Sequence, residues 1–504
     1  MMSQRLARRL LLPPVDLLLW LGERWPCQFQ WLLAATPPTL LEKLGTWRAV
    51  RAAERAVRRV PAYRRFVEEH AVTSADVAAL RLPYTDKSAY VDRYGLVERC
   101  VDGRLPRSGI AIDESSGSTG RPYNWIRSSK ERETSEALVS NFARYLYGDG
   151  TLVTINAFSM GAWATGTSMG VAMQRRGVVK NTGPDVDKIL ATLEFLGPGY
   201  RYLICGYPPF LKHVLDVARE RAFPLERYRI AAAVGGEGMS EALRDYLSAF
   251  DPVYSGYGAT DVEIGLAGET PLSVAVRRAA WADAAVRCAL FGADARLPML
   301  FQYNPLSHHV AVTDDGELVF TINRLNVLSP RVAYNIHDEG GVATYAQVRD
   351  RLAAAGLDIA ALAPPATRSL PLPFLWVYGR RDSTVSVMGA NIYPEDVEQA
   401  LYALPDLAAV TNSFCLGLEE QPSGAVRPCF SFEVRVPVSV ALESEFEREV
   451  IPRVTSINAD LRVALGEHRD SVLPVVRLYE LGEGPFRHDN GRIKQTRIAS
   501  ELAS

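Results

Sequence analysis

The stretch Asp113-Glu114-Ser115-Ser116-Gly117-Ser118-Thr119-Gly120-Arg121-Pro122 concentrates hydroxyls and glycines directly after a short apolar segment, Gly109-Ile110-Ala111-Ile112. Glycines let backbone N–H groups turn toward an anion where a Cβ would clash, and Ser and Thr hydroxyls add donors to its oxygens. The same composition also makes ordinary surface turns, so the surroundings decide. A Walker-type loop requires a lysine after its last glycine, and the chain has no Gly-Lys pair; Arg121 follows Gly120. Nor does Ser115 to Gly120 fit the G-x-G-x-x-G dinucleotide fingerprint. The residues point to a phosphate-binding loop of another kind.

Four further clusters follow in order: Gly235-Gly236-Glu237-Gly238-Met239-Ser240, Tyr257-Gly258-Ala259-Thr260-Asp261, Arg331-Val332-Ala333-Tyr334-Asn335-Ile336-His337-Asp338, and Gly379-Arg380-Arg381-Asp382 with Gly389-Ala390-Asn391-Ile392-Tyr393-Pro394 behind it. Together with the hydroxyl loop they resemble, in the same order, the motifs of the adenylate-forming superfamily, which activates carboxylic acids as acyl-adenylates. The resemblance is nearest to the phenylacetate–CoA ligase-like branch and covers roughly residues 60 to 500, with order and spacing as its context.

The resemblance implies a role for each matching residue. Ser115, Ser116, Gly117, Ser118, Thr119 and Gly120 would wrap the phosphates of ATP, Gly236 and Glu237 would border the adenine, and Tyr257 would offer a stacking face beside Gly258. Thr260 would meet the α-phosphate, Asp338 would accept from the ribose hydroxyls, and Arg380 would contact ribose or phosphate. Asp261 stands where many members carry glutamate and would hold Mg²⁺ against the phosphates, with Glu263 or Glu269 as further carboxylates. For the catalytic cation, the Lys-x-x-Arg spacing selects Lys494, whereas the glycine before it selects Arg492; Lys494 is preferred because a compact ammonium can bridge carboxylate and α-phosphate. Phe158 and Trp163, with Gly235, suggest a pocket for an aryl or apolar acyl acid, although such aromatics also build cores.

The implied reaction uses ATP and Mg²⁺ to make an acyl-adenylate, which a thiol then attacks. CoA is the favoured acceptor, a carrier-protein thiol or an amine the alternative. Two other readings stand beside it. Gly166-Thr167-Ser168-Met169-Gly170 spells the G-x-S-x-G of a serine-hydrolase elbow, but the nearest strand stops well before it. The variant Asp261 and the displaced lysine also fit a catalytically silent nucleotide-binding relative.

The elements that must position these residues follow from pattern. With 504 residues, 48% of them hydrophobic, the chain can bury a large core in more than one domain. Alternating β-rich and helical runs predict a layered α/β body, and the resemblance implies that a large N-terminal domain of this kind is followed by a small mobile α+β domain. Strands are expected at Thr151–Asn156, Tyr202–Cys205 and Cys429–Val436, and helices at Ser129–Tyr147, Pro209–Arg221 and Glu395–Leu401. A strand at Ile230–Val234 would deliver Gly235-Gly236 at its carboxyl end, where ligands gather in open α/β sheets. The division that the resemblance implies is a helical extension 1–60, a large domain 61–381 with an insertion at about 341–373, and a small domain 382–504, with Asp382 as the hinge.

A net charge of −2 gives no electrostatic footprint for nucleic acid, and six singly placed cysteines point to a reducing, cytoplasmic setting without a structural zinc site. At the N-terminus Arg5, Arg8 and Arg9 precede apolar patches that Pro13-Pro14 and Asp16 interrupt, so helices packing on the domain are preferred to a peripheral membrane contact. From Leu41 to Val60 the periodicity predicts an amphipathic helix. A homodimer is left open.

Overall fold

The computed structural model describes residues 2–115, 123–161, 164–294, 296–362, 369–380, 385–387, 390–420, 426–487 and 497–499. It begins with helices α1 (Met2–Gly22), α2 (Pro26–Ala35), α3 (Pro38–Arg59), α4 (Pro61–Glu69) and α5 (Ser74–Ala78). The apolar period of 41–60 becomes α3, which buries Leu41, Ala49, Ala53 and Ala56 and stops at Val60 before Pro61. Pro13 and Pro14 interrupt the apolar run of α1 but not the helix, which passes through both. A proline inside a helix removes a hydrogen bond. Packing on α3 offsets the loss, because Leu12 is buried and Asp16 is bound by Arg48 and, at 2.7 Å, by Arg51.

Strands β1 (Ile110–Ser115) and β2 (Tyr123–Ser128) form an antiparallel hairpin in which Ser115 faces Tyr123. The hydroxyl run thus connects two paired strands, while Ser116, Gly117, Ser118, Thr119, Gly120 and Arg121 themselves lie outside the described residues. Helix α6 (Ser129–Tyr147) starts at a capping box made by Ser128 and Glu131 and ends at Gly148, whose φ of 77° suits glycine.

The body is an eleven-stranded sheet in the order β10-β11-β12-β13-β9-β8-β7-β6-β5-β3-β4. One half comprises β3 (Leu152–Asn156), β4 (Gly177–Asn181), β5 (Arg201–Gly206), β6 (Arg229–Gly235) and β7 (Val253–Ala259), all parallel. Helices α7 (Ala164–Gln174), α8 (Val186–Leu196), α9 (Pro208–Glu220) and α10 (Glu241–Tyr246) connect them, and β3 is buried along its whole length, as a strand covered on both faces must be. The other half is antiparallel: β8 (Glu263–Gly268), β9 (Met299–Gln302), β10 (His308–Val312), β11 (Glu317–Ile322), β12 (Tyr334–Ala343) and β13 (Phe374–Arg380). Helices α11 (Pro271–Ala282), α12 (Ala284–Phe291), α13 (Tyr345–Ala354) and α14 (Ile359–Leu362) share a satellite core around Leu272, Val276, Leu352 and Phe374. The segment after β12 is therefore packed into the body.

After β13 come the short pair β14 (Val385–Val387) and β15 (Ala390–Ile392), helices α15 (Pro394–Tyr402) and α16 (Pro405–Val410), and a three-stranded sheet of β16 (Thr411–Glu420), β17 (Val426–Val434) and β18 (Val475–Tyr479) with helices α17 (Val440–Ile457) and α18 (Ala459–Val472). This region docks on the body through Lys212 of α9, which donates to the Ala408 carbonyl at 2.6 Å, and through Glu398 of α15, which accepts from the Ser240 N–H at 2.8 Å. The α/β architecture expected from the sequence is the one observed.

Candidate active site

Four neighbouring parallel strands end on one edge of the sheet, and the chain leaves them at Phe158, Tyr207, Gly236 and Thr260. Carboxyl ends of strands are where an open α/β sheet binds ligands. A cavity of about 1570 Å³ opens here, and Ser115, Phe158, Gly235, Gly236, Glu237, Tyr257, Gly258, Thr260, Asp261, Asp338 and Arg380 all line it. All the expected site residues inside the described regions except Glu263 and Glu269 are thus gathered at one cavity. Trp163, Asp382, Arg492 and Lys494 lie outside them.

Two glycines are required by space. Gly236 has φ 86°, and a Cβ there would fall 2.7 Å from the Tyr207 ring; at Gly258 it would fall 2.9 Å from the Gly265 nitrogen. Phe158 meets Tyr207 edge-on at 5.2 Å and is 2% exposed, so it belongs both to the core and to the cavity wall. Tyr257 stacks on Phe301 at 5.6 Å, and its hydroxyl donates to Asp338 Oδ2 at 2.7 Å. Burial and then the Asp338 carboxylate push the Tyr257 phenol well above its ordinary pKa, which keeps it a donor. Asp338 in turn faces Arg380 across the β12–β13 ladder. The carboxylate and the guanidinium are therefore positioned by neighbouring strands, and the aromatic reaches Asp338 from β7, beyond β9 and β8 in the sheet.

The Thr260-Asp261 turn is held by arginines. Arg127 donates to the Thr260 carbonyl at 2.7 Å, and Arg331 donates to the Asp261 carbonyl at 2.6 Å with its guanidinium 4.7 Å above the Trp125 ring. Burial pulls the Arg331 pKa down to about 10, and the group stays charged near neutrality. Ser115 Oγ accepts from Trp125 Nε1 at 3.1 Å, which links the stem of the hydroxyl loop to the same ring.

The Asp261 side chain pairs with Lys87 Nζ at 3.0 Å and accepts from the Tyr334 hydroxyl at 3.3 Å. The two carboxylates considered as its partners do other work. Glu263 is gripped by Arg324 and His308; burial alone would raise its pKa, but the Arg324 guanidinium, with the His308 ring beside it, holds it well below the usual range. Glu269 is bound by Arg244 and accepts from the Ser255 N–H at 2.7 Å. Both are structural ion-pair members, which corrects the expectation that either could share a metal with Asp261. Among the described residues no three His, Cys, Asp or Glu side chains are grouped to hold a metal ion.

Ser168 lies inside α7, not at a strand-to-helix turn, and accepts from Arg132 at 3.3 Å. That geometry does not make a nucleophile elbow. Sequence reasoning missed Lys87, Arg127 and the holding role of Arg331. Only Arg331 stood inside a recognised motif; Lys87 and Arg127 reach the site from distant stretches that carry no motif.

No protein-family model matches the chain, and no curated protein matches it in sequence. Solved structures do. The 2-hydroxyisobutyryl-CoA ligase in the postadenylation state, in complex with 2-HIB-AMP, aligns with TM-score 0.65 and 16% identity over 92% of this chain and 90% of that one. The same ligase in an open conformation with 2-HIB-AMP and CoA aligns with TM-score 0.55 and 15% identity over 82% and 90%. The fold is that of the adenylate-forming CoA ligases. Within this adenylate-forming fold no helix among the described residues is long and apolar enough to cross a membrane.

Proposed function

We propose that the chain is an AMP-forming ligase that activates an apolar carboxylic acid as its adenylate and passes the acyl group to a thiol, that of CoA. The observation carrying this reading is the convergence of Tyr257, Asp338, Arg380, Gly236 and the Thr260-Asp261 turn on one cavity at the strand ends. ATP would lie with its adenine along Gly236 and Glu237, its ribose on Asp338 and Arg380, and its α-phosphate at Thr260. The donors suit Mg²⁺, which takes one or two carboxylates and fills its shell from phosphate and water; Asp261 would supply the carboxylate, and the ion would neutralise phosphate charge. In the first step a carboxylate oxygen bonds to the α-phosphorus as the bond to pyrophosphate breaks, and Lys494 offsets the growing charge. In the second a thiolate sulfur bonds to the acyl carbon and AMP leaves.

The small domain would begin at the hinge Asp382 and present a second face for the thiol step. A better alignment with the postadenylation state than with the thioesterification state of 2-hydroxyisobutyryl-CoA ligase, 0.65 against 0.52, supports the first of the two arrangements for this structure. The 2-hydroxyisobutyryl-CoA ligase complexes with acyl-adenylate and CoA support the same chemistry. The test is carboxylate-dependent exchange of labelled pyrophosphate into ATP, run with Lys494→Ala and Arg492→Ala. Exchange that disappears in Lys494→Ala and persists in Arg492→Ala is expected. Formation of ADP in place of AMP would refute the reading.

A further inference from the structure

Glu398 of α15 carries a charge into the seam between the C-terminal region and the body, where it is only 6% exposed. A carboxylate so buried has to be paired. Among the described residues its oxygens divide between two partners: one accepts from the Ser240 N–H at 2.8 Å, and the other lies 3.7 Å from Arg497 Nη2. Ser240 closes the turn that begins at Gly235-Gly236 and caps α10, its hydroxyl accepting from the Leu243 N–H at 3.1 Å. Arg497 belongs to a C-terminal stretch laid along the β16 edge. Its carbonyl accepts from the Leu416 N–H at 2.8 Å, and the Ala499 N–H donates to the Leu416 carbonyl at 2.7 Å. The Arg497 guanidinium donates to the Phe414 carbonyl at 3.2 Å and lies 3.9 Å over the Phe414 ring. Ser240, Glu398, Phe414 and Arg497 all line the cavity. Three segments remote in sequence, the turn after β6, α15 and the strip beside β16, thus meet at one carboxylate.

We propose that Glu398 is a positioning residue for the adenylation step: with Ser240 on one oxygen and Arg497 on the other, it brings the segment carrying the catalytic cation to the nucleotide only while α15 sits on the adenine turn. The inference rests on the adenylation reading and deepens it. Lys494 stands three residues ahead of Arg497, and a tether of three residues spans at most about 10 Å. Holding Arg497 therefore restricts the space that the Lys494 ammonium samples, and a charge already aimed at its target needs less reorganisation in the transition state. The Arg497 contact is an ion pair without a hydrogen bond. Both side chains are largely buried, so solvent and salt screen it little. When α15 leaves the turn, Ser240 and Glu398 part, the carboxylate meets water, and Arg497 loses its brace. The thiol step, assigned above to a second face of the small domain, does not use this junction.

The two half-reactions, assayed separately on the full chain, test this. The first is pyrophosphate exchange with hexanoate, phenylacetate or benzoate; the second is thioester formation from CoA and the synthetic adenylate of whichever acid exchanges fastest. Glu398→Gln keeps an acceptor for the Ser240 N–H and removes only the charge that holds Arg497. It should lower kcat for exchange roughly tenfold or more, as expected for a contact with a charged group, with the KM for ATP and the second half-reaction each within about twofold of wild type. Arg497→Met removes the same contact from the other side and should reproduce that split, which keeps the test open should Glu398→Gln not fold. The double variant should lose no more than either single one, because the two residues act as a pair. Losses that multiply in the double variant, a parallel fall of both half-reactions, or unaltered exchange in either single variant overturns the proposal and leaves the adenylation reading intact. Wild type that exchanges with none of the three acids refutes that reading and this inference with it.

Discussion

Tyr257→Phe isolates one hydrogen bond in the proposed nucleotide site. The substitution keeps the ring that stacks on Phe301 at 5.6 Å and deletes only the hydroxyl that donates to Asp338 Oδ2 at 2.7 Å. A hydrogen bond to a charged acceptor contributes about 1.5–3 kcal/mol. Without it the Asp338 carboxylate loses the contact that fixes its direction, and the ribose hydroxyls meet a less well aimed acceptor. Ribose is remote from the reacting phosphorus, so the loss acts on ground state and transition state alike. The expected result is a KM for ATP raised about 10- to 100-fold, at 1.4 kcal/mol per decade, with kcat close to the wild-type value. Because burial and Asp338 keep the phenol protonated well above its usual range, the wild-type KM should show no Tyr257 titration across neutral and mildly alkaline pH. Initial rates of pyrophosphate exchange at saturating acid measure this. A fall in kcat with an unchanged KM for ATP would mean that the pair serves the chemical step or the fold, and that Asp338 does not hold ribose.

Lys87→Met should lower the Mg²⁺ concentration for half-maximal exchange roughly fivefold, because a partly exposed ion pair of about 1 kcal/mol no longer competes for Asp261; an unaltered Mg²⁺ requirement would remove Asp261 from the metal. Burial pulls Lys212 down to about 8 from 10.5. The folded chain therefore releases this proton first, and the contribution is present above 10.5 and lost as pH falls through 8. Denaturant midpoints of the wild type relative to Lys212→Met should rise with pH between those values, and a flat difference would contradict the assignment. Ser168→Ala, inside α7, should leave exchange near wild-type, whereas loss of an esterase activity would revive the hydrolase reading. Leu6, Leu10, Leu17 and Leu18 of α1 are exposed while Leu12 is buried. Since Asp16 of α1 is held by α3, the chain should nonetheless stay in the supernatant with anionic vesicles; sedimentation that Leu10→Asp abolishes would overturn packing as the sole role of α1.

The parts of this protein that were legible in its sequence are those fixed by local chemistry. Helix α6 occupies Ser129–Tyr147 as its pattern requires, because a capping box opens it and a glycine closes it within its own span. Gly235-Gly236 leaves β6 at its carboxyl end because an apolar run and a glycine turn are adjacent in the chain. What was not legible is set by distance. Arg127 and Arg331 clamp the backbone of Thr260 and Asp261, and Lys87 reaches Asp261 from ahead of the hydroxyl loop. No spacing rule announces such contacts, since each depends on where the sheet places its edges. Glu263 illustrates the converse. Its position two residues past Asp261 suggested a metal ligand, yet the alternation of β8 turns it inward to Arg324 and His308, where a charge must be paired. The course of α1 through Pro13 and Pro14 is set in the same way, because α3 supplies partners that local propensity does not count. A segment read as a peripheral packing element also lines the cavity, and only the fold could show that Leu19 and Trp20 border the same space as Thr260.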